Sequence, residues 1–288
     1  MLLAYNTNGL TVHDPAKSIK LLAEIGYRGV GLTIDHDLLN PYVDGFEKLI
    51  ASVRRLLERY EMRSVIETGA RFLLDPHNKH EPTLMTADRA GRARRIEFYR
   101  HAIDIAHELG SDCVSLWSGK LNVSIANKAA FSRLIEGLRQ VCDYADLKQV
   151  TLGFEPEPGM FIDAMDRYAQ LAARFFASPL RLTLDIGHLH CQGEVPIADQ
   201  IRYWSWRIVN VHLEDMRFGI HEHLMFGEGE IDFPPVIAAL RAIDYHGLLQ
   251  VELSRHSHMG PEAARQAFDF LQPLVATKRR RPAAREKP

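Results

Sequence analysis

The sequence predicts an α/β chain folded as a single closed (β/α)8 barrel. Eight short apolar runs alternate with longer amphipathic ones. The length of 288 residues divides into units of roughly 36, the size of one strand–helix repeat. No Gly-x-Gly-x-x-Gly turn follows any of the runs, as an open dinucleotide-binding sheet would require. The barrel is expected over residues 1–275 and a disordered basic tail over residues 276–288.

In chain order the expected strands are Leu2–Asn6, Gly29–Thr33, Arg63–Glu67, Asp112–Trp117, Thr151–Glu155, Arg181–Asp185, Ile208–Leu213 and Leu248–Leu253. Each is short and rich in Val, Ile and Leu, as a parallel strand covered on both faces should be. The expected helices are Asp14–Ile25, Gly45–Tyr60, Ala87–Leu109, Lys128–Tyr144, Phe161–Phe176, Ile197–Tyr203, Phe233–Ile243 and Pro261–Leu274. The first opens on a capping Asp14 followed by Pro15 and stops at Gly26; the third stops at Gly110. From Thr68 to Ala87 there is no period at all. Structureless segments beyond about 12–15 residues usually serve as lids or binding segments.

Hydrophobic residues make up 46% and charged residues 25% of the chain, which excludes wholesale disorder and fibrous architectures. Cys113, Cys142 and Cys191 are too few and too scattered for a disulfide framework or a Cys-x-x-Cys zinc site, which favours a reducing compartment. The apolar start at Met1 is too short for a signal peptide, and no run approaches the roughly 20 residues that span a bilayer. The expectation is a cytoplasmic protein with no membrane partner. The net charge of −2 conceals an asymmetry: the tail carries six Lys/Arg and one Glu, leaving 29 basic and 36 acidic residues in the body. An acidic body argues against nucleic acid as a partner, because phosphate contacts dominate such binding. A small-molecule substrate fits better.

In such barrels the chemistry sits where the strands end. Strand three ends at Glu67, strand five at Glu155, strand six at Asp185, strand seven at His212 and strand eight at Glu252. Packing does not ask apolar runs to terminate repeatedly in carboxylates. Gathered at one mouth, these groups repel, and burial raises the cost of each charge. No Lys or Arg stands at those strand ends to pair with Glu155, Asp185 and Glu252. One divalent cation is the simplest remedy, with His212 as the fourth ligand. Three oxygens and one imidazole suit Mn²⁺, Co²⁺ or Mg²⁺ about as well as Zn²⁺.

The stretches Gly153-Phe-Glu155-Pro, Leu184-Asp185-Ile-Gly-His188, Val211-His212-Leu-Glu-Asp215, Gly227-Glu-Gly-Glu-Ile-Asp-Phe233 and Val251-Glu252 occur in that order. With them the chain resembles, over about residues 2–275, the sugar isomerase and epimerase superfamily of xylose isomerase-like barrels, which includes endonuclease IV. The resemblance implies that Glu155, Asp185, His212 and Glu252 bind one catalytic metal. It implies that His188 touches a substrate oxygen or adds a ligand, and that copies of the chain form a homo-oligomer. There are departures. The early histidines of endonuclease IV-like three-metal sites fall on Glu67 and Ser118, which argues against a DNA-repair site. The later Asp-x-His of that group falls on His221-Glu222-His223, which with His188 makes a candidate second-metal set. The second, substrate-binding Glu of the sugar 3-epimerases falls on Phe161, leaving Glu157 as the local candidate, and Arg217 stands one residue short of their substrate arginine.

The chemistry such a site can run is proton transfer beside a carbonyl, with Glu155 and Glu252 as acid and base from strands well apart. This predicts a metal-dependent isomerase or epimerase acting on a sugar or related polyol. Glu67, Glu157, Arg71 and Arg217 are candidate substrate contacts; Arg71 suits a carboxylate or phosphate, with Lys79 as a second charge. Phe72, Trp117 and Phe226 are candidate apolar walls. Two alternatives stay open: a metal-dependent hydrolase or lyase with a binuclear site completed by His188, His221 and His223, and a non-catalytic, metal-stabilised barrel that binds a ligand.

Overall fold

The computed structural model describes residues 1–176 and 178–276, so the basic tail lies, from residue 277 on, outside the described residues. Eight parallel strands close a barrel: β1 (Leu2–Asn6), β2 (Gly29–Thr33), β3 (Arg63–Glu67), β4 (Val114–Trp117), β5 (Leu152–Glu155), β6 (Leu180–Asp185), β7 (Ile208–Leu213) and β10 (Leu248–Val251). The ring closes where β10 pairs with β1, from Leu2 opposite Leu248 to Tyr5 opposite Val251. These strands agree with the expected ones to within two residues at every end.

The outer layer is α1 (Pro15–Ile25), α2 (Phe46–Tyr60), α3 (Arg89–Leu109), α4 (Asn127–Lys148), α5 (Met165–Ala172), α6 (Ile186–Cys191), α7 (Ile197–Tyr203), α8 (Phe233–Ala242) and α9 (Gly260–Ala276). Asp14 caps α1, its carboxylate accepting from the Lys17 N–H at 2.8 Å. Three differences from expectation have local causes. The helix expected from Phe161 begins only at Met165, because Phe161 N–H is bound to Gly119 O and Ile162 N–H to Ser118 Oγ, both at 3.0 Å. Helix α6 is a six-residue turn, too short to show a helical period. After β7 the chain makes an antiparallel hairpin, β8 (Asp215–Arg217) and β9 (Ile220–Leu224), instead of passing straight to α8.

The Asp215 carboxylate holds that hairpin's return. It accepts from the backbone N–H groups of Met216, Gly227, Gly229 and Ile231 at 2.9–3.1 Å, which gives the Gly227–Phe233 stretch a structural reason. Residues 68–88 are irregular, as expected. The loop is nonetheless tied to the barrel wall by Arg95 of α3, which is 1% exposed and donates to the carbonyls of Pro82 and His80, both at 2.6 Å. Among the described residues, no helix is long and apolar enough to cross a membrane.

Candidate active site

The C-terminal ends of the strands open into a cavity of about 280 Å³. Glu67, Glu157, His188, Glu155 and Glu252 line it together with Asn8, Arg71, Lys79, His80 and Trp117. At its floor Glu155, Asp185, His212 and Glu252 each bring one donor atom within 4.8 Å of the other three. His212 Nδ1 lies 3.0 Å from Glu155 Oε1, 3.1 Å from Glu252 Oε2 and 3.8 Å from Asp185 Oδ2. Asn8, from the turn after β1, donates to the remaining oxygen of Glu252 at 2.6 Å. Asp185 divides its labour: Oδ1 accepts from His188 N–H at 2.7 Å and caps α6, while Oδ2 is buried without a hydrogen-bond partner.

The electrostatics of the chain alone are strained. Burial pushes the Glu155 carboxyl well above the usual carboxylate range, although His212 works against it. Burial also favours a neutral His212, but the charges of Glu155, Glu67 and Glu252 outweigh it and raise the imidazole. Glu252 is also buried, yet His212, His223 and His188 bring it below the carboxylate range. Burial and the crowding of carboxylates thus favour protons on Glu155 and His212. A divalent ion fits the same donors. Asp185 Oδ2 is an orphaned oxygen facing three further ligand atoms, and three oxygens with one imidazole is a donor set that such ions accept.

A second cluster stands beside the first. His188, His221 and His223 bring their ring nitrogens within 4.8 Å of one another, and the Nε2 atoms of His188 and His221 are 3.1 Å apart. His188 Nδ1 faces Pro156 O at 3.3 Å and His223 Nδ1 faces Glu252 O at 2.8 Å. A carbonyl only accepts, so those Nδ1 atoms carry the protons and both Nε2 atoms present lone pairs. Burial holds His188 down to about 4, and burial with His223 lowers His221, so the His188 and His221 rings favour the neutral form that a metal ligand needs. Both His221 and His223 project from one face of β9, the strand that the sequence reading did not include.

Residues 19–274 match the family model described as the xylose isomerase-like TIM barrel. The chain belongs to that family. L-ribulose-5-phosphate 3-epimerase UlaE of Salmonella paratyphi C is 28% identical over 219 residues, covering 74% of this chain and 76% of the relative. Among solved structures, a D-tagatose 3-epimerase-like protein superposes with a TM-score of 0.76 at 21% identity, covering 96% of this chain and 100% of its own. The IOLI protein crystallised with a zinc atom does so with a TM-score of 0.77 at 16% identity, covering 96% of this chain and 98% of its own. These structures share the barrel.

As a member of the xylose isomerase-like family, the chain brings together most of the residues its sequence nominates, but not all. Arg217 is exposed on the hairpin and donates to Glu228 O at 2.9 Å, away from the cavity lining. Glu67 lines the cavity, but its Oε1 is already taken by His212 Nε2 at 3.0 Å and by Gln250 Nε2 at 2.8 Å. Arg71 reaches the cavity while paired with Asp35 at 3.2 Å. Burial, with Glu252 and Asp185, pushes the Glu157 carboxyl up to about 8. Trp117 forms a wall with His80 set edge-on at 5.1 Å, whereas Phe226 packs on Phe233 and Phe270, and Phe72 is 44% exposed. Cys191 is buried, its thiol pushed up to about 12, so it is inert.

Sequence reasoning missed Glu214. It is fully buried against α6, where a Cβ on Gly187 would meet its Oε1 at 1.9 Å, and its carboxyl lies in hydrogen-bond reach of the Asp185 carboxylate. Burial and the neighbouring Asp185 push its carboxyl well above the usual range. The signal was present in the Glu of Val-His212-Leu-Glu214-Asp215, a charge inside an otherwise apolar run.

Proposed function

We propose that this protein is a divalent-metal-dependent epimerase or isomerase that moves a proton beside the carbonyl of a sugar or related polyol. The convergence of Glu155, Asp185, His212 and Glu252 on one point of the barrel mouth supports this reading most. Those four would hold the ion, which when bound would supply Lewis acidity toward a carbonyl and its neighbouring hydroxyl. The chain's own groups carry the proton.

Glu155 ends β5 and Glu252 directly follows β10, strands that β6 and β7 separate around the ring, so a carbon held between them would meet a carboxyl on either side. Each would bind the ion through one oxygen and keep its other oxygen off the metal. One of the two takes the proton and the other returns one, so each could act as base or acid according to the direction of the reaction. Return to the opposite face of the same carbon inverts it; delivery to the adjacent carbon moves the carbonyl. His188 and Glu157 border the same space, which supports a role for them in binding substrate hydroxyls. Arg71 and Lys79 at the rim suit an anionic end, which agrees with the phosphorylated ketose in the name of the curated relatives.

The test is proton exchange in D₂O. Protein loaded with Mn²⁺, Co²⁺, Mg²⁺ or Zn²⁺ is offered L-ribulose 5-phosphate, D-tagatose and D-allulose, and ¹H NMR follows the C–H beside the carbonyl. Deuterium at that carbon with a new epimer or isomer is expected. Absence of exchange in all of them, with metal shown to be bound, would overturn the proposal.

One observation favours a second reading, a binuclear hydrolase or lyase: the lone pairs of His188 and His223 converge with His221 beside the first cluster. Metal counting separates the two. One ion per chain with proton exchange supports the epimerase; two ions with hydrolysis or elimination and no exchange supports the alternative.

A further inference from the structure

The barrel floor beneath His212 is polar where such barrels are usually filled by aliphatic side chains. Asn210 and Gln250 are fully buried and Glu67 is 6% exposed. Gln250 Nε2 donates to Glu67 Oε1 at 2.8 Å and to Asn210 Oδ1 at 2.7 Å. Asn210 Nδ2 lies 3.4 Å from the same Glu67 oxygen and 3.0 Å from His212 Nε2. Glu67 Oε1, an acceptor, lies 3.0 Å from His212 Nε2 and favours the proton on that nitrogen, in which case the Asn210 amide donates to Glu67 and not to the ring. The other ring nitrogen is thereby turned toward Glu155, Glu252 and Asp185.

Space for this network comes from β2. A Cβ on Gly31 would lie 1.8 Å from Gln250 Oε1 and 3.3 Å from Asn6 Cα, so no other residue fits while Gln250 keeps its place. Gly31 has an ordinary negative φ, so room rather than backbone conformation is what this glycine supplies. Four strands, β2, β3, β7 and β10, thus contribute to the orientation of one imidazole.

We infer that Glu67 is a positioning residue: through Gln250 and Asn210, and with the room left by Gly31, it locks the His212 ring so that Nδ1 presents its lone pair to the cation. This differs from the substrate contact that a strand-end Glu suggests, and it rests on the metal-site reading above. Partners that accept a hydrogen bond from the far nitrogen of a metal-bound histidine fix its orientation, and their loss typically costs about 10–100-fold in metal affinity.

Co²⁺ binding tests the inference, read both by calorimetry and by the visible d–d absorption of the bound ion. Two substitutions probe it from opposite sides. Glu67→Gln keeps the shape and removes the charge. Gly31→Ala touches neither the donors nor the substrate space and acts only by displacing Gln250. Each is expected to raise the Co²⁺ Kd by about 10-fold or more and to shift the d–d spectrum, with KM for the substrate at saturating Co²⁺ within about twofold of wild type. A Glu67→Gln protein with unchanged Kd and spectrum but a raised KM would overturn the inference and make Glu67 a substrate contact. If Gly31→Ala does not fold, Glu67→Gln decides alone. Failure of the wild-type chain to bind Co²⁺ at all would instead sink the metal-site reading, so the two failures are distinguishable.

Discussion

If the floor cluster binds a divalent ion as proposed, protons compete with that ion for the same donors, and this sets a measurable pH dependence. Glu155 and His212 both titrate well above their ordinary values of 4.5 and 6.5, the first through burial, the second through Glu155, Glu67 and Glu252 overriding burial. Burial for the first and the facing carboxylates for the second thus favour a proton on each when no ion is bound. Ligation through a Glu155 oxygen and His212 Nδ1 requires both protons to leave, while the Nε2 proton shared with Glu67 stays. Two protons released per ion means that affinity rises about 100-fold per pH unit, or about 2.7 kcal/mol, as long as both groups remain protonated without metal. The sign follows directly: raising the pH removes the competing protons and tightens binding, and lowering it weakens binding. Calorimetric titration of Mn²⁺ or Co²⁺ in two buffers of different ionisation enthalpy counts the protons, and repetition between pH 6 and 8 gives the slope. A Kd that is flat over that range, with no buffer-dependent heat, would refute the protonation of the empty cluster.

Three further outcomes are expected. Glu252→Gln should lower kcat by about 10²–10⁴-fold while melting as the wild type does; turnover within a few-fold of normal would remove Glu252 from proton transfer. Asp215→Ala strands four backbone N–H groups that now share one carboxylate, each bond to a charged acceptor being worth about 1.5–3 kcal/mol before water recovers part of it. A net loss of about 3–5 kcal/mol spread over 288 residues, with an unfolding entropy of about 2.1 cal/mol/K per residue, lowers Tm by roughly 5–8 °C, and an unchanged calorimetric Tm would contradict the account. Arg71→Met should raise KM for L-ribulose 5-phosphate about tenfold or more but leave KM for an unphosphorylated ketose within about twofold; equal effects on both would deny Arg71 a role in reading the anionic end.

The strands were legible because burial on both faces leaves an unbroken apolar run whatever the side-chain direction. The floor cluster was legible because a carboxylate at the end of such a run has no packing reason. The hairpin was not read as structure, since β8 is only three residues long, β9 is largely half-exposed, and neither carries a continuous apolar signal. Yet Ile220-His-Glu-His-Leu224 alternates with period two after Gly219, and that alternation is what places both histidines on one face. Asn8 escaped notice for another reason: it is one asparagine among several, and only the turn after β1 brings it to Glu252. Glu67 was legible as a site residue while its partner was not, because the hydrogen bond to His212 joins residues 145 positions apart.

The two clusters are not independent accidents of composition, because one short turn of helix serves both. Asp185 uses one oxygen to cap α6 and leaves the other bare among the floor donors. The N–H it caps belongs to His188, whose ring turns its Nε2 to His221. Any displacement of that turn therefore moves a floor ligand and an imidazole together. Its position is set in turn by Glu214, packed so closely on Gly187 that no side chain fits between them. The Asp185-Ile-Gly-His188 segment is thus explained residue by residue. The acid is a donor and a cap, the glycine is the space that Glu214 fills, and the histidine is held at a fixed distance from the acid. A chain that needed only a stable barrel would have had no reason to build that turn from a buried, half-satisfied carboxylate.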